Sequence, residues 1–112
     1  MVRHMPNQQQ LDRVFRALGD PTRRAVLARL TLGQVTVSEL AAPFKMALPS
    51  FTQHLDVLEE CGLVTSRKLG RVRTYALAPQ PLKAAERWLA DQRQLWERRL
   101  DQLDAYLNVM KE

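Results

Sequence analysis

The sequence predicts a mainly α-helical domain with one β-hairpin, in the order α-α-α-α-β-β-α. Apolar residues recur at helical spacing in five segments, residues alternate between Val64 and Leu77, and glycine or proline punctuates the junctions between these patterns. At 112 residues the chain supports a single core. A domain of this size hides only about 60–70% of its unfolded surface, so size alone favours self-association.

The first seven residues read as a flexible tail, and residues 8–112 as one domain. Gln8 to Leu18 forms the first predicted helix, with Leu11, Val14, Phe15 and Leu18 at helical spacing and Gly19 at its end. Asp20-Pro21 reads as an N-cap followed by proline in the first turn, where the missing N–H is harmless. The second helix carries Ala25, Val26, Leu27 and Leu30 and stops near Gly33. Val35 to Pro43 holds a short third helix, in which Thr36 and Glu39 have the spacing of a capping box. That makes Thr36 a cap rather than a reactive group. The fourth helix opens around Leu48 to Ser50 with Pro49 placed early, and ends at Cys61-Gly62, glycine being the usual left-handed terminator. Leu55, Leu58 and Leu63 lie along one side of this segment, and short polar or ring side chains stand at its start.

Two short helices running straight into a basic hairpin suit a domain that lays one helix in a DNA groove and a ribbon on the backbone. In the hairpin, Val64, Ser66 and Lys68 alternate with Thr65, Arg67 and Leu69, and Val72, Thr74 and Ala76 with Arg71, Arg73, Tyr75 and Leu77. Leu69-Gly70-Arg71 supplies the turn. Arg67, Lys68, Arg71 and Arg73 cluster around Gly70 with no acidic residue among them, which predicts a surface facing phosphate. After Pro79 and Pro81 a last helix runs to Met110. Thirty residues span roughly 45 Å, and such a helix cannot bury its whole apolar stripe on so small a body. A twofold partner resolves this, with the first and last helices as the seam: Leu11, Phe15, Trp88, Leu95, Trp96, Leu100, Leu103, Tyr106 and Leu107.

The net charge is +5, and it is unevenly placed. Residues 1–80 hold eleven Lys/Arg against six Asp/Glu, whereas 81–112 hold six of each. Basic charge on the helix-helix-hairpin portion favours nucleic acid through counterion release. The single Cys61 excludes an internal disulfide and suits a reducing cytoplasm. No apolar run approaches the ~18–20 residues of a membrane span, and the N-terminus lacks the apolar core of a signal peptide. A soluble cytoplasmic protein is expected, without membrane association. An enzyme is not: no Ser/His/Asp or Cys/His grouping, phosphate-cradling glycine loop or metal-ligand spacing occurs, and the two histidines are His4 and His54.

The segments LDRVFRALGDPTRRAVLARL, VSELA, PSFTQHLDVLEECGLV and SRKLGRVRTYAL together resemble the ArsR/SmtB family of bacterial winged-helix repressors, from about Leu11 to Met110. The resemblance implies a homodimeric DNA-binding repressor that regulates its own operon, with the third and fourth helices as the helix-turn-helix. It also implies that Ser50, Phe51, Thr52 and Gln53 occupy the major-groove positions. Gln53 is the expected base contact, since its amide pairs bidentately with adenine at ~1–3 kcal/mol of discrimination. Leu48, Pro49, Ser50, Thr52 and His54 complete the expected helix contacts, His54 reading either as a phosphate contact or as a neutral packing histidine, and Phe51 is expected in the buried rear instead. Ala47 and Leu48 replace the serine and glutamine usual in the family, which weakens the cap by about 1 kcal/mol. Arg67, Lys68, Arg71 and Arg73 of the wing are expected on the backbone or in the minor groove.

The family's metal sites are not matched. The cysteine pair of soft-metal sensors falls at Thr36 and Ser38, whose hydroxyls cannot supply thiolates. The last helix has no histidine for the family's Asp/His/Glu site; its Asp91, Glu97, Asp101 and Asp104 read as a solvated face beside Arg87, Arg93, Arg98 and Arg99. No metal and no cofactor are therefore expected. The leading reading is a homodimeric repressor that binds an operator inverted repeat in double-stranded DNA. A second makes the same fold gated by redox at Cys61 or by a small molecule near Trp88 and Trp96, which lie within about 80° of one another around the helix. A third is a winged-helix protein-interaction module whose basic hairpin meets an acidic partner.

Overall fold

The computed structural model describes residues 4–111, and side-chain surroundings from Gln8 onward. The chain runs α1 (His4–Leu18), α2 (Pro21–Leu30), β1 (Val35–Thr36), α3 (Val37–Ala41), α4 (Leu48–Glu60), β2 (Val64–Leu69), β3 (Val72–Leu77) and α5 (Gln80–Lys111). The sequence-predicted order holds apart from β1, which adds a third strand. Val35 and Thr36 pair antiparallel with Tyr75 and Thr74, giving the sheet order β1-β3-β2. Two residues show no alternation, so only the tertiary pairing reveals this strand. At the N-terminus, α1 starts at His4 rather than Gln8, within the expected tail; residues 1–3 lie outside the described residues.

Local chemistry fixes the helix ends. Asp20 caps α2 by accepting the Arg23 N–H at 3.0 Å, with Pro21 in the first turn. Thr36 and Glu39 form a reciprocal capping box at α3, so the Thr36 hydroxyl is committed to structure. Helix α4 ends in a Schellman arrangement: the Leu63 N–H reaches the Leu58 carbonyl and the Gly62 N–H the Glu59 carbonyl, with Gly62 at φ 75°. Gly70 opens the two-residue wing turn at φ 64° while Arg71 keeps φ negative, the pattern of a type II′ turn that matches strand twist.

The core is built around α4. Phe51, Leu55 and Leu58 are wholly buried, against Val14, Val26, Leu40, Leu63 and Val64. Tyr75 closes the core from β3, and Pro81 and Ala85 from the first turns of α5. Beyond Ala90 every residue of α5 is exposed. The helix is about 48 Å long, and the molecule extends 73 Å along its long axis. Its radius of gyration of 19.7 Å compares with the ~13 Å of a compact chain this long.

The backbone bond from Arg23, and secondarily the His54 and Arg23 charges, hold the Asp20 carboxyl below the usual carboxylate range despite an opposing effect of burial. A depressed folded-state value stabilises the fold above the unfolded-state value and is lost as pH falls through the depressed one. Asp20→Ala is expected to cost about 1 kcal/mol in urea unfolding at neutral pH. The difference from wild type should narrow below about pH 4; a pH-independent difference would show that the charge contributes nothing.

Candidate nucleic-acid interface

Helix α4 presents a polar start on an apolar rear. Leu48, Pro49, Ser50 and Gln53 are exposed, whereas Phe51 packs on Phe44 with ring centroids 5.0 Å apart. Phe51 thus occupies the buried rear, as expected. No side chain caps the helix at Ala47, consistent with the weak cap read from sequence, and the N–H groups of Leu48 and Ser50 begin the helix without a side-chain acceptor. Thr52 is half-buried, and its hydroxyl donates back to the Pro49 carbonyl at 3.0 Å, leaving lone pairs rather than a proton to offer.

His54 faces the body of the protein. Its side chain is 23% exposed, with Nδ1 lying 3.2 Å from Arg23 Nη1 and 3.7 Å from Asp20 Oδ2. These contacts engage the ring at the start of α2, so the structure places His54 behind α4 rather than beside Ser50 and Gln53. Its 31-residue separation from Arg23 gave the sequence no signal of the pairing.

The wing divides its cations. Lys68 stands directly opposite Arg73, and Arg67 opposite Thr74, with Arg71 in the turn. Arg73 donates to Ser66 Oγ at 2.8 Å, and Ser66 Oγ donates to Glu59 Oε2 at 2.8 Å. This relay ties Arg73 to the C-terminal half of α4 and braces the wing; nothing in the residue spacing announced it. Arg67, Lys68 and Arg71 are exposed and make no side-chain hydrogen bond or ion pair among the described residues. Lys68 and Arg73 confront each other as like charges, which costs stability until an anion intervenes.

Of the expected seam residues, Leu11 and Phe15 are half-buried between α1 and the core, and Phe15 meets Trp88 edge-on at 5.6 Å. Gln8, Leu11, Asp12, Phe15 and Trp88 line an open hollow of about 470 Å³. Leu95, Trp96, Leu100, Leu103, Tyr106 and Leu107 are all exposed on α5.

Cys61 is buried at the end of α4, its thiol donating to the Arg13 carbonyl at 3.4 Å. Burial pushes the thiol upward, outweighing the opposing charges of Arg13 and Arg23. A thiol so placed is a poor nucleophile. Among the described residues, no three His, Cys, Asp or Glu side chains converge as a metal site, and no helix is long and apolar enough to cross a membrane.

A helix-turn-helix domain family matches residues 18–67, the stretch from the end of α1 to the first half of the wing. The HTH-type transcriptional regulator Rv2034 of Mycobacterium tuberculosis is 38% identical over 96 residues, spanning 86% of this chain and 87% of that protein. The chain belongs to the ArsR family of winged-helix transcriptional regulators. The crystal structure of the ArsR family transcriptional regulator RHA00566 superposes with a TM-score of 0.78 at 57% identity, covering 80% of this chain and 93% of that one. The transcriptional repressor SdpR of Bacillus subtilis is 30% identical over 70% of this chain and 88% of its own length. Mb0332 of Mycobacterium bovis, described as a homodimeric winged helix-turn-helix DNA-binding domain, matches at 26% identity and a TM-score of 0.64, covering 88% of this chain and 89% of that one. This ArsR-family chain is accordingly a DNA-binding transcriptional regulator and not an enzyme.

Alkylation checks the environment of Cys61. Near neutral pH its reaction with a small thiol reagent is expected to be at least about tenfold slower in the folded protein than in urea, because burial disfavours the thiolate. Equal rates would restore Cys61 as a candidate sensor.

Proposed function

We propose that this regulator is a homodimeric repressor of its own operon, binding an operator inverted repeat in the cytoplasm with one α4 per half-site. The observation that carries the reading is the start of α4: a rigid apolar rear holds Ser50 and Gln53 outward, beside first-turn N–H groups that no side chain caps. Such a start suits a major groove, where amides read base edges and backbone N–H groups meet phosphate. Gln53 takes the base contact, Ser50 and Thr52 accept or relay hydrogen bonds at the groove edge, and Leu48 and Pro49 supply apolar contact. Arg67, Lys68 and Arg71 lie on the backbone beside the groove. Arg73, held by Ser66, stands beside them near the turn of the wing.

The dimer rests on the exposed stripe of α5. Leu95, Trp96, Leu100, Leu103, Tyr106 and Leu107 follow one another at helical spacing, with Leu11, Phe15 and Trp88 continuing the surface on the body. A second copy related by a twofold axis covers both and brings two copies of α4 to half-sites about one helical turn apart. As the seat of a gating signal, the hollow at Phe15 and Trp88 suits a small apolar molecule better than the buried thiol of Cys61 suits redox control.

The founding test is a titration of the duplex upstream of the protein's own gene against a scrambled duplex at two salt concentrations. The repressor reading expects tight, salt-sensitive binding to the native duplex only; equal weak binding to both would favour a protein-interaction module. Gln53→Ala should lose about 1–3 kcal/mol of discrimination at one adenine position. Arg67→Ala with Arg71→Ala should weaken all duplexes alike and reduce the salt slope by roughly 1.8, or about 0.9 for each phosphate contact. Glutamate at both Leu103 and Leu107 should give monomers in sedimentation that bind DNA poorly, and a fully active monomer would exclude the α5 seam.

A further inference from the structure

Arg23 is the most connected side chain near α4, and the proposed DNA contacts leave it unexplained. From the first turn of α2 its guanidinium reaches two other helices. Nε donates to the Ala17 carbonyl at 2.9 Å and Nη2 to the Arg16 carbonyl at 3.2 Å, both in the last turn of α1, where a cation opposes the negative end of the helix dipole. The third nitrogen, Nη1, lies 3.2 Å from His54 Nδ1 in α4. Asp20 completes the cluster: its Oδ2 accepts the Arg23 backbone N–H at 3.0 Å and lies 3.7 Å from the same Nδ1.

The direction of the Arg23–His54 bond is forced. A guanidinium has five donors and no acceptor, so Nδ1 accepts and carries no proton. The bond exists only for the neutral imidazole protonated at Nε2. A second proton would fall on Nδ1, facing Arg23 Nη1, and set donor against donor and cation against cation. The nearest acceptor for that proton is Asp20 Oδ2 at 3.7 Å, beyond hydrogen-bond reach in this geometry, so a charged ring is drawn off Arg23 toward the Asp20 carboxylate and the clasp opens.

We propose that Arg23 and His54 form a proton-dependent clasp that positions the recognition helix, so that DNA binding weakens as His54 becomes charged. The inference rests on the reading of α4 as the DNA-reading helix. His54 follows Gln53 directly and stands about one turn from Ser50, so the clasp holds the half of α4 that carries the proposed contacts. Arg23 is a positioning residue, acting on DNA through His54. The charged groups that face the ring are Arg23 and Asp20 from the start of α2; Arg13 and Arg16 of α1 line a groove with Val57, Glu60 and Cys61 farther along α4, and Asp56 and Glu59 are the acidic residues that follow His54 on α4 itself.

Two readouts test it. In the free protein, nitrogen NMR near pH 8 should show His54 as the Nε2–H tautomer with a bare Nδ1; a protonated Nδ1 there overturns the clasp without reference to DNA. With the native upstream duplex at fixed ionic strength, wild-type affinity should fall about tenfold between roughly pH 8 and pH 5.5, the equivalent of one charge-assisted hydrogen bond. His54→Asn places a non-titrating amide oxygen near the Nδ1 position and should hold affinity within about twofold across that range. Arg23→Lys, which keeps the charge and loses the fork, should bind less tightly near pH 8 and respond less to pH. His4 is present in every variant, so a full pH response surviving in His54→Asn overturns the proposal, as does wild-type behaviour of Arg23→Lys. Should His54→Asn fail to fold by circular dichroism, Arg23→Lys carries the same comparison. If wild type and variants bind no duplex at either pH, the repressor reading fails, and with it the role proposed for the clasp, while the tautomer still decides whether the clasp exists.

Discussion

Burial of one side of α4 is the constraint on which the remaining structure depends, because the same helix must be anchored in the core and offered to a partner. Phe51, Leu55 and Leu58 are wholly buried, and each such side chain contributes about 1.5–3 kcal/mol relative to exposure. Their spacing fixes the rotation of the helix and thereby sends Ser50 and Gln53 outward. The Schellman ending at Gly62 then turns the chain so that Leu63 and Val64 enter the same core, and the wing leaves from a fixed point. Ser66 and Glu59 brace that departure with a hydrogen bond, and Arg73 adds another. Each surface group proposed to meet DNA on α4 or the wing is therefore held through the rear of one thirteen-residue helix.

The last helix is governed by the opposite condition, apolar surface with no place on its own body. Only the first turns of α5 reach the core, through Pro81 and Ala85, and the exposed stripe from Trp88 to Met110 continues well beyond them. Exposed tryptophan, leucine and tyrosine in one continuous row are unfavourable in water and favour a second apolar surface. The body contributes Phe15 and Leu11 beside Trp88, so the unpaired surface is shared by α1 and α5. The apolar arm and the polar face of α4 lie on different elements, which allows a change at one to leave the other folded.

Much of this was legible in the residues. Period-3.6 patterns gave α1, α2, α4 and α5; Asp20-Pro21 and Thr36 with Glu39 gave two helix starts; and alternation around Gly70 gave the wing. Phe51 was legible as core because an aromatic ring at that position shares the side of Leu55 and Leu58. The strand β1 was not, since two residues have no period and their pairing partners, Thr74 and Tyr75, lie nearly forty residues away. From its place beside Gln53, His54 read as either a phosphate contact or a packing histidine, with no sign of which residues it would pack on. Its actual partners come from the α1–α2 junction, and no local pattern encodes a contact between Arg23 and a residue three elements later. Arg73 looked equivalent to Arg67 and Arg71, until strand register set it diagonal to Ser66 within hydrogen-bond reach.

The sequence by itself determined the elements, their order, the apolar rear of α4 and the uneven placement of charge, because each depends on residues within one or two turns of one another. The tertiary structure decided how the polar side chains are shared between the interior network and the surface. Arg23, His54 and Asp20 became one cluster, Glu59, Ser66 and Arg73 another, and Cys61 became a shielded thiol. The physical reason is that hydrogen-bond direction and desolvation depend on which elements pack together, and packing brings together residues that no spacing rule relates.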